Sequence, residues 1–130
     1  MPTLTVHDRT AVGREVDAFA LENLPDQITV RELIRTRVRD EVARHNLAPR
    51  QVFRGLVAPE GAAQEALGYR LHTPKRIDWE RQAEVALDAF GRNGFFILVD
   101  GRQVSDLDEE ISVSKTNDVA FVKLVQLIGG

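Results

Sequence analysis

The run Phe95-Phe-Ile-Leu-Val99, followed at once by Asp100-Gly101 and then Arg102-Gln-Val104, constrains this chain more than any other segment. Five consecutive apolar residues bounded by turn residues read as a buried strand. Asp-Gly is favoured in two-residue hairpin turns because both central positions need positive φ. The segment therefore predicts a strand, a tight turn and a returning strand. A second hairpin is expected at the N-terminus. There Leu4 and Val6 fall on one face of a strand with Thr3 and Thr5 opposite, Gly13 marks a turn, and Glu15 to Leu24 alternates as the returning strand.

Pro25-Asp26 breaks that strand, and Thr29-Val-Arg-Glu32 matches a capping box, in which side chains of the first and fourth residues satisfy free backbone amides. A helix is predicted from this point, with Val30, Leu33, Ile34, Val38 and Val42 along one stripe that is expected to face the sheet. Its end is expected near His45-Asn46, with Pro49 just beyond. From Leu47 to Ile77 the pattern weakens, since Pro49, Gly55, Pro59, Gly61, Gly68 and Pro74 interrupt short apolar pairs. This reads as a long irregular stretch. Asp78 then caps a second predicted helix carrying Trp79, Ala83, Ala86, Leu87 and Phe90 on one face, with Gly91 or Gly94 as its stop. After the central hairpin, Ser105 to Ser114 suggests a short helical turn and a brief extended piece, and Asn117-Asp118 turns the chain into a closing strand, Val119 to Ile128. Gly129 and Gly130 follow it.

The whole chain, 1–130, is expected to form one domain with an insertion at about 47–94. No apolar stretch approaches the roughly 18 to 20 residues of a membrane span, and the N-terminus lacks a charged segment followed by an apolar run. The expectation is a cytoplasmic protein that engages no membrane. A formal net charge of -3 argues against a nucleic-acid binder. With no cysteine, the chain supplies no thiolate nucleophile or thiolate metal ligand.

In element order, in the strand and turn from Phe96 to Val104, in the connector around Leu107 and Ile111, and in the last strand with its diglycine, the chain resembles the ubiquitin-like β-grasp proteins. Ile28 to Ile34 is similar to the start of the helix in the bacterial sulfur carriers of molybdopterin and thiamine synthesis. The resemblance covers about two-thirds of the chain and leaves Leu47 to Gly94 unmatched. It implies an α/β (α+β) fold, a mixed sheet packed on a main helix, with a helical or irregular insertion between that helix and the third strand of the grasp.

It also implies a role. A carboxylate is a poor acyl donor, and adenylation makes a mixed anhydride that a nucleophile can open. By resemblance, Gly130 is the residue adenylated and conjugated, and Gly129 keeps the approach narrow. The ATP belongs to a partner, an E1-like adenylating enzyme, so this chain needs no cofactor of its own. Three readings stay open: a protein modifier conjugated to targets with the help of an E2-like enzyme, a sulfur carrier ending in a thiocarboxylate, and a β-grasp binding or assembly module that is never activated. For a modifier, the resemblance places Leu98, Val122 and Leu124 on an exposed partner-binding patch, with Ile97, Val104 and Phe121 pointing inward. Arg102 replaces a chain-forming lysine, and Lys115 and Lys123 are the candidate acceptor lysines.

Other charged groups read as structural. Arg31, Arg35, Arg37, Arg39 and Arg44 interleave with Glu32, Asp40 and Glu41, which predicts a solvated helix laced by pairs such as Glu32 with Arg35. His7, His45 and His72 show no metal-ligand spacing, and Asp106 to Glu110 lacks the ligand pattern of a calcium loop. There is no phosphate-binding glycine loop and no serine elbow, so the chain is not expected to be an enzyme.

Overall fold

The computed structural model describes residues 2–65 and 68–124. Its elements run β1 (Leu4–Thr10), β2 (Glu15–Leu21), β3 (Gln27–Thr29), α1 (Val30–Leu47), β4 (Val52–Phe53), β5 (Ala63–Glu65), β6 (Gly68–Arg70), α2 (Trp79–Gly91), β7 (Phe95–Val99), β8 (Arg102–Val104), β9 (Glu110–Ser112) and β10 (Val119–Lys123). The fold is mixed α/β and divides into two compact units. One is formed by the chain before Ile34 together with the chain from Phe90 on, the other by Ile34–Ala89.

The first unit is built on a five-stranded mixed sheet of order β2-β1-β10-β7-β8. β1 and β10 lie side by side in parallel, with Val6 opposite Val119 and Asp8 opposite Phe121. Antiparallel hairpins flank them: β1 pairs β2, and β7 pairs β8. Both turns follow their sequence chemistry. Gly13 takes φ +86 at the first hairpin, where the Thr10 N–H donates to the Arg14 carbonyl at 2.8 Å. Asp100 and Gly101 both have positive φ, as a tight hairpin turn of matching twist requires. Asp100 has a second role, since its carboxylate accepts the amides of Asn117 at 3.0 Å and Asp118 at 2.9 Å. The β7–β8 turn is thereby tied to the turn that launches β10.

Leu4, Val6, Leu21, Ile97, Val119 and Phe121 are completely buried. Phe121 is tilted against Phe95 at 6.0 Å between ring centroids, and Phe95 against Phe90 at 5.7 Å. Period two in β7 and β10 thus becomes one continuous apolar layer.

A short sheet of β3 and β9, absent from the sequence reading as a pair, presents the start of α1. The first helical amides have no partner within a helix, and here each of three finds one. The Val30 N–H donates to the Glu109 carbonyl at 2.9 Å, Arg31 N–H to the Leu107 carbonyl at 2.9 Å, and Glu32 N–H to Thr29 Oγ1 at 3.1 Å. The Thr29 hydroxyl donates in turn to Glu32 Oε1 at 3.2 Å. Of the expected capping box the threonine half is present, while the Glu32 carboxylate accepts the threonine hydroxyl instead of a backbone amide. Thr29→Ala removes the oxygen that receives the Glu32 amide and is expected to cost about 1 kcal/mol, read as a lower urea midpoint at unchanged slope.

The second unit contains a three-stranded antiparallel sheet of order β4-β6-β5 where the sequence suggested an irregular stretch. Strands of two and three residues leave too little periodicity to recognise. Gly68 lets β6 approach β4 closely, because a Cβ there would stand 2.7 Å from the Phe53 carbonyl oxygen. The unit takes in α1 from Ile34 onward, so its boundary lies within the helix and not at its end. Ile34, Val38 and Val42, half of the predicted stripe and more, are buried, as are Phe53, Leu56, Leu71, Ala83 and Ala86. At α2 the Asp78 carboxylate accepts the Glu80 amide at 3.1 Å, the expected cap. The helix ends at Gly91, one of the two expected stops, and beyond it Asn93 takes the left-handed φ of +60. Asparagine is the commonest non-glycine residue to do so.

The arginine-rich helix is not solvated throughout. Arg37 and Glu41 are 2% and 5% exposed, and Arg37 Nε donates to Glu41 Oε1 at 2.8 Å. Glu41 Oε2 accepts the Leu56 N–H at 2.8 Å. Gly55 completes this arrangement, since a Cβ there would lie 2.2 Å from the Phe53 ring and 2.6 Å from Glu41 Oε2. Arg35 and Arg39 stack over Trp79, with guanidinium carbons 5.2 and 5.9 Å from the ring centroid. Sequence spacing identified a charged helix but could not say which charges were buried.

Candidate functional sites

Two regions have the chemistry to engage another molecule, one in each unit. In the first unit it is the sheet face carried by β7 and β10. Residues opposite each other in an antiparallel ladder share a face, so Leu98 with Ala120 and Val122 with Phe96 form one apolar surface. Leu98 and Val122 are half-buried, and Leu124, just past β10, is 44% exposed. Ile97, Val104 and Phe121 are buried, in agreement with their inward assignment. His7 and Arg9 of β1 fall opposite Ala120 and Val122 and extend the face with polar groups. The His7 ring meets Glu15 across the first hairpin at 2.5 Å. Of the candidate acceptors, Lys115 is exposed, and Lys123 stands half-buried opposite Phe95. Gly129 and Gly130 lie outside the described residues.

The acidic connector has partners that explain its charges. Asp108 pairs with Arg31 at 3.2 Å, and Glu109 with Arg102 at 2.7 Å. Asp106 Oδ1 accepts the Asp108 amide at 2.9 Å. Its backbone carbonyls cap α1, so the run serves to hold the helix start. Among the described residues no group of three histidine or acidic side chains is arranged to hold a metal ion.

In the second unit a pocket of about 560 Å³ opens between the end of α1 and β4, lined by Arg44, His45, Ala48, Arg50, Val52, Phe53, Arg54 and Glu65. Its local order is well determined by hydrogen bonds. Asn46 Oδ1 accepts the Ile77 amide and its Nδ2 donates to the Ile77 carbonyl, both at 2.8 Å. His45 Nε2 donates to the Lys75 carbonyl at 2.8 Å, and its ring meets Phe53 edge-on at 5.4 Å. The last turn of α1 is thus held to the segment leading into α2. Val52 and Phe53 follow because β4 pairs with Arg70 and Tyr69 of β6.

The electrostatics of this pocket are lopsided. Its one carboxylate, Glu65, makes a two-pronged contact with Arg70, to which Arg70 Nη2 contributes a bond of 3.2 Å. That hydrogen bond, with the charge of Glu65 behind it, raises the Arg70 pKa above its ordinary value. Since arginine is charged at all ordinary pH values, Glu65 faces a permanent cation. Arg44, Arg50 and Arg54 are exposed. Sequence reading grouped Arg44 with a solvated helix and passed over Arg50 and Arg54, which sit in a segment without periodicity. The available signal was the spacing Arg50, Val52, Arg54 around a single buried aromatic residue.

No helix of the described residues is long and apolar enough to cross a membrane. The chain matches no family model, no curated protein and no solved structure.

Proposed function

We propose that this chain is a ubiquitin-like β-grasp protein modifier, adenylated at the carboxyl group of Gly130 by an E1-like enzyme and conjugated to target proteins. The observation that carries this reading is the topology of the first unit. A parallel β1–β10 pair at the centre of a mixed sheet, with an antiparallel hairpin on each side, is the arrangement that the resemblance calls for. In sequence, the strand that completes the sheet leads to the diglycine. Glycine at both positions suits a narrow catalytic channel, since neither adds a side chain. The face of Leu98, Val122 and Leu124 is the docking surface in this reading. Its apolar groups next to polar His7 and Arg9 fit a partner interface.

The test is to incubate the chain with ATP and, in turn, each E1-like adenylating enzyme of its host, then record intact masses. The expected product is an adenylate or enzyme thioester at Gly130, absent when Gly130 is deleted. If every one of these enzymes, shown active on another substrate, leaves this chain unchanged, the proposal is overturned. Conversion of the protein isolated from its host to a thiocarboxylate, without conjugates, replaces the modifier by a sulfur carrier.

A further inference from the structure

The pocket of the second unit plays no part in the modifier reading, yet it has the features of a binding site. Its volume, about 560 Å³, lies within the usual range for small-molecule pockets, roughly 300 to 1,000 Å³. Among the described residues, no carboxylate is paired with Arg44, Arg50 or Arg54, while the single acid in the lining is held by Arg70. Three arginines that line one pocket without a paired acid make it positive, and an anion bound there is attracted by all three.

The charge is local to this unit. Of 17 basic and 20 acidic residues in the chain, ten and eight lie within Ile34–Ala89, so a chain of net charge -3 contains a positive unit. Arg44 has an ordinary role as well, because a cation in the last turn offsets the helix dipole. Arg50 and Arg54 lie beyond the helix and have no such explanation. Guanidinium groups match the oxygens of phosphate in a planar, two-pronged geometry. Ala48, Val52 and the edge of the His45–Phe53 pair give the same pocket an apolar side, on which a ring or sugar can rest.

We propose that this pocket binds a phosphorylated small molecule of nucleotide size, with Arg44, Arg50 and Arg54 holding its phosphate. A pocket closed on one side by β4 and on the other by the α1 end suits a compact ligand better than an extended nucleic-acid strand.

The test uses the full chain labelled with nitrogen-15 and titrated with adenosine monophosphate, with inorganic phosphate and with adenosine. Adenosine monophosphate is expected to shift the arginine side-chain signals of Arg44, Arg50 and Arg54 and the amides of 50–54 in a saturable way. Inorganic phosphate should shift the same arginine signals more weakly, and adenosine should leave them in place. Arg50→Gln and Arg54→Gln, both at exposed positions, should each weaken nucleotide binding by about tenfold, which corresponds to about 1.4 kcal/mol, with the remaining spectrum unchanged. Absence of saturable shifts with adenosine monophosphate overturns the proposal, as does equal binding of adenosine or of either variant. A single-stranded RNA that binds more tightly and shifts residues well outside the pocket overturns the small-molecule assignment.

Discussion

Replacing Glu41 by alanine is expected to destabilise the second unit by about 3 to 5 kcal/mol, the range for removing one partner from a buried ion pair. Two losses combine. The Arg37 guanidinium, 2% exposed, loses the carboxylate that faces its Nε at 2.8 Å, and the Leu56 amide loses its acceptor at the same distance. The neighbourhood cannot easily adjust, because the Gly55 backbone is pressed against both Phe53 and Glu41. Glu41→Gln separates these contributions. It keeps the volume and an oxygen for Leu56 but removes the charge, so it should cost less than the alanine variant. Joint replacement of Arg37 and Glu41 by apolar residues of similar volume should recover much of the loss, since such exchanges of buried pairs are often neutral or stabilising. Urea denaturation of the four proteins measures all three outcomes. A Glu41→Ala midpoint within error of the parent would refute the buried pair as drawn.

Phe121→Ala is expected to have an effect of the same size in the first unit, about 3 to 5 kcal/mol. Phe121 is 0% exposed, in the central strand of the sheet, opposite Ile97 on β7 and Asp8 on β1, with the Phe95 ring at 6.0 Å. Its removal leaves a cavity that strands paired on both sides can close only in part. Phe121→Leu keeps most of the buried area and should cost clearly less. The comparison with Val122→Ala is informative, because Val122 lies one residue on and faces the other side of the sheet, half-buried. A loss for Val122→Ala as large as that for Phe121→Ala would mean that the two faces had been assigned the wrong way round. The same Val122→Ala protein also serves the modifier proposal. Little change in stability with slower activation by the partner enzyme would mark the outer face as a docking surface.

What could be read in advance followed from local chemistry. Asp100-Gly101 dictated its turn because few residues tolerate positive φ at successive positions, and the structure has both there. Thr29 and Glu32 marked the start of α1 because a hydroxyl three residues ahead of a carboxylate solves the problem of the free amides locally. The apolar run of β7 marked a strand with a buried face, and the inward place that the resemblance implies for Ile97 agrees with its burial. The segment after α1 was opaque for the opposite reason. β4, β5 and β6 are two or three residues long, stabilised by pairing with one another and by the close approach at Gly68, neither of which leaves a period in the sequence.

The candidate sites divide along the same line. The diglycine and the apolar runs of β7 and β10 are properties of contiguous sequence and were visible as such. The pocket is not, since Arg44 comes from a helix, Arg50 and Arg54 from the flanks of a two-residue strand, and the pairing of Glu65 depends on Arg70 across a ladder. Arg37 and Glu41 show the limit most clearly. They stood among the interleaved charges expected to be solvated, and a spacing of four is the same for a solvated pair and a buried one. By itself, then, the sequence determined where the two hairpins, their turns and the helix starts fall, because those depend on the conformational preferences of neighbouring residues. Only the tertiary structure decided that β1 and β10 lie in parallel at the centre of a sheet, which charges are withdrawn from water and which arginines line one pocket. Those outcomes depend on distances between residues far apart in the chain, and no local preference encodes them.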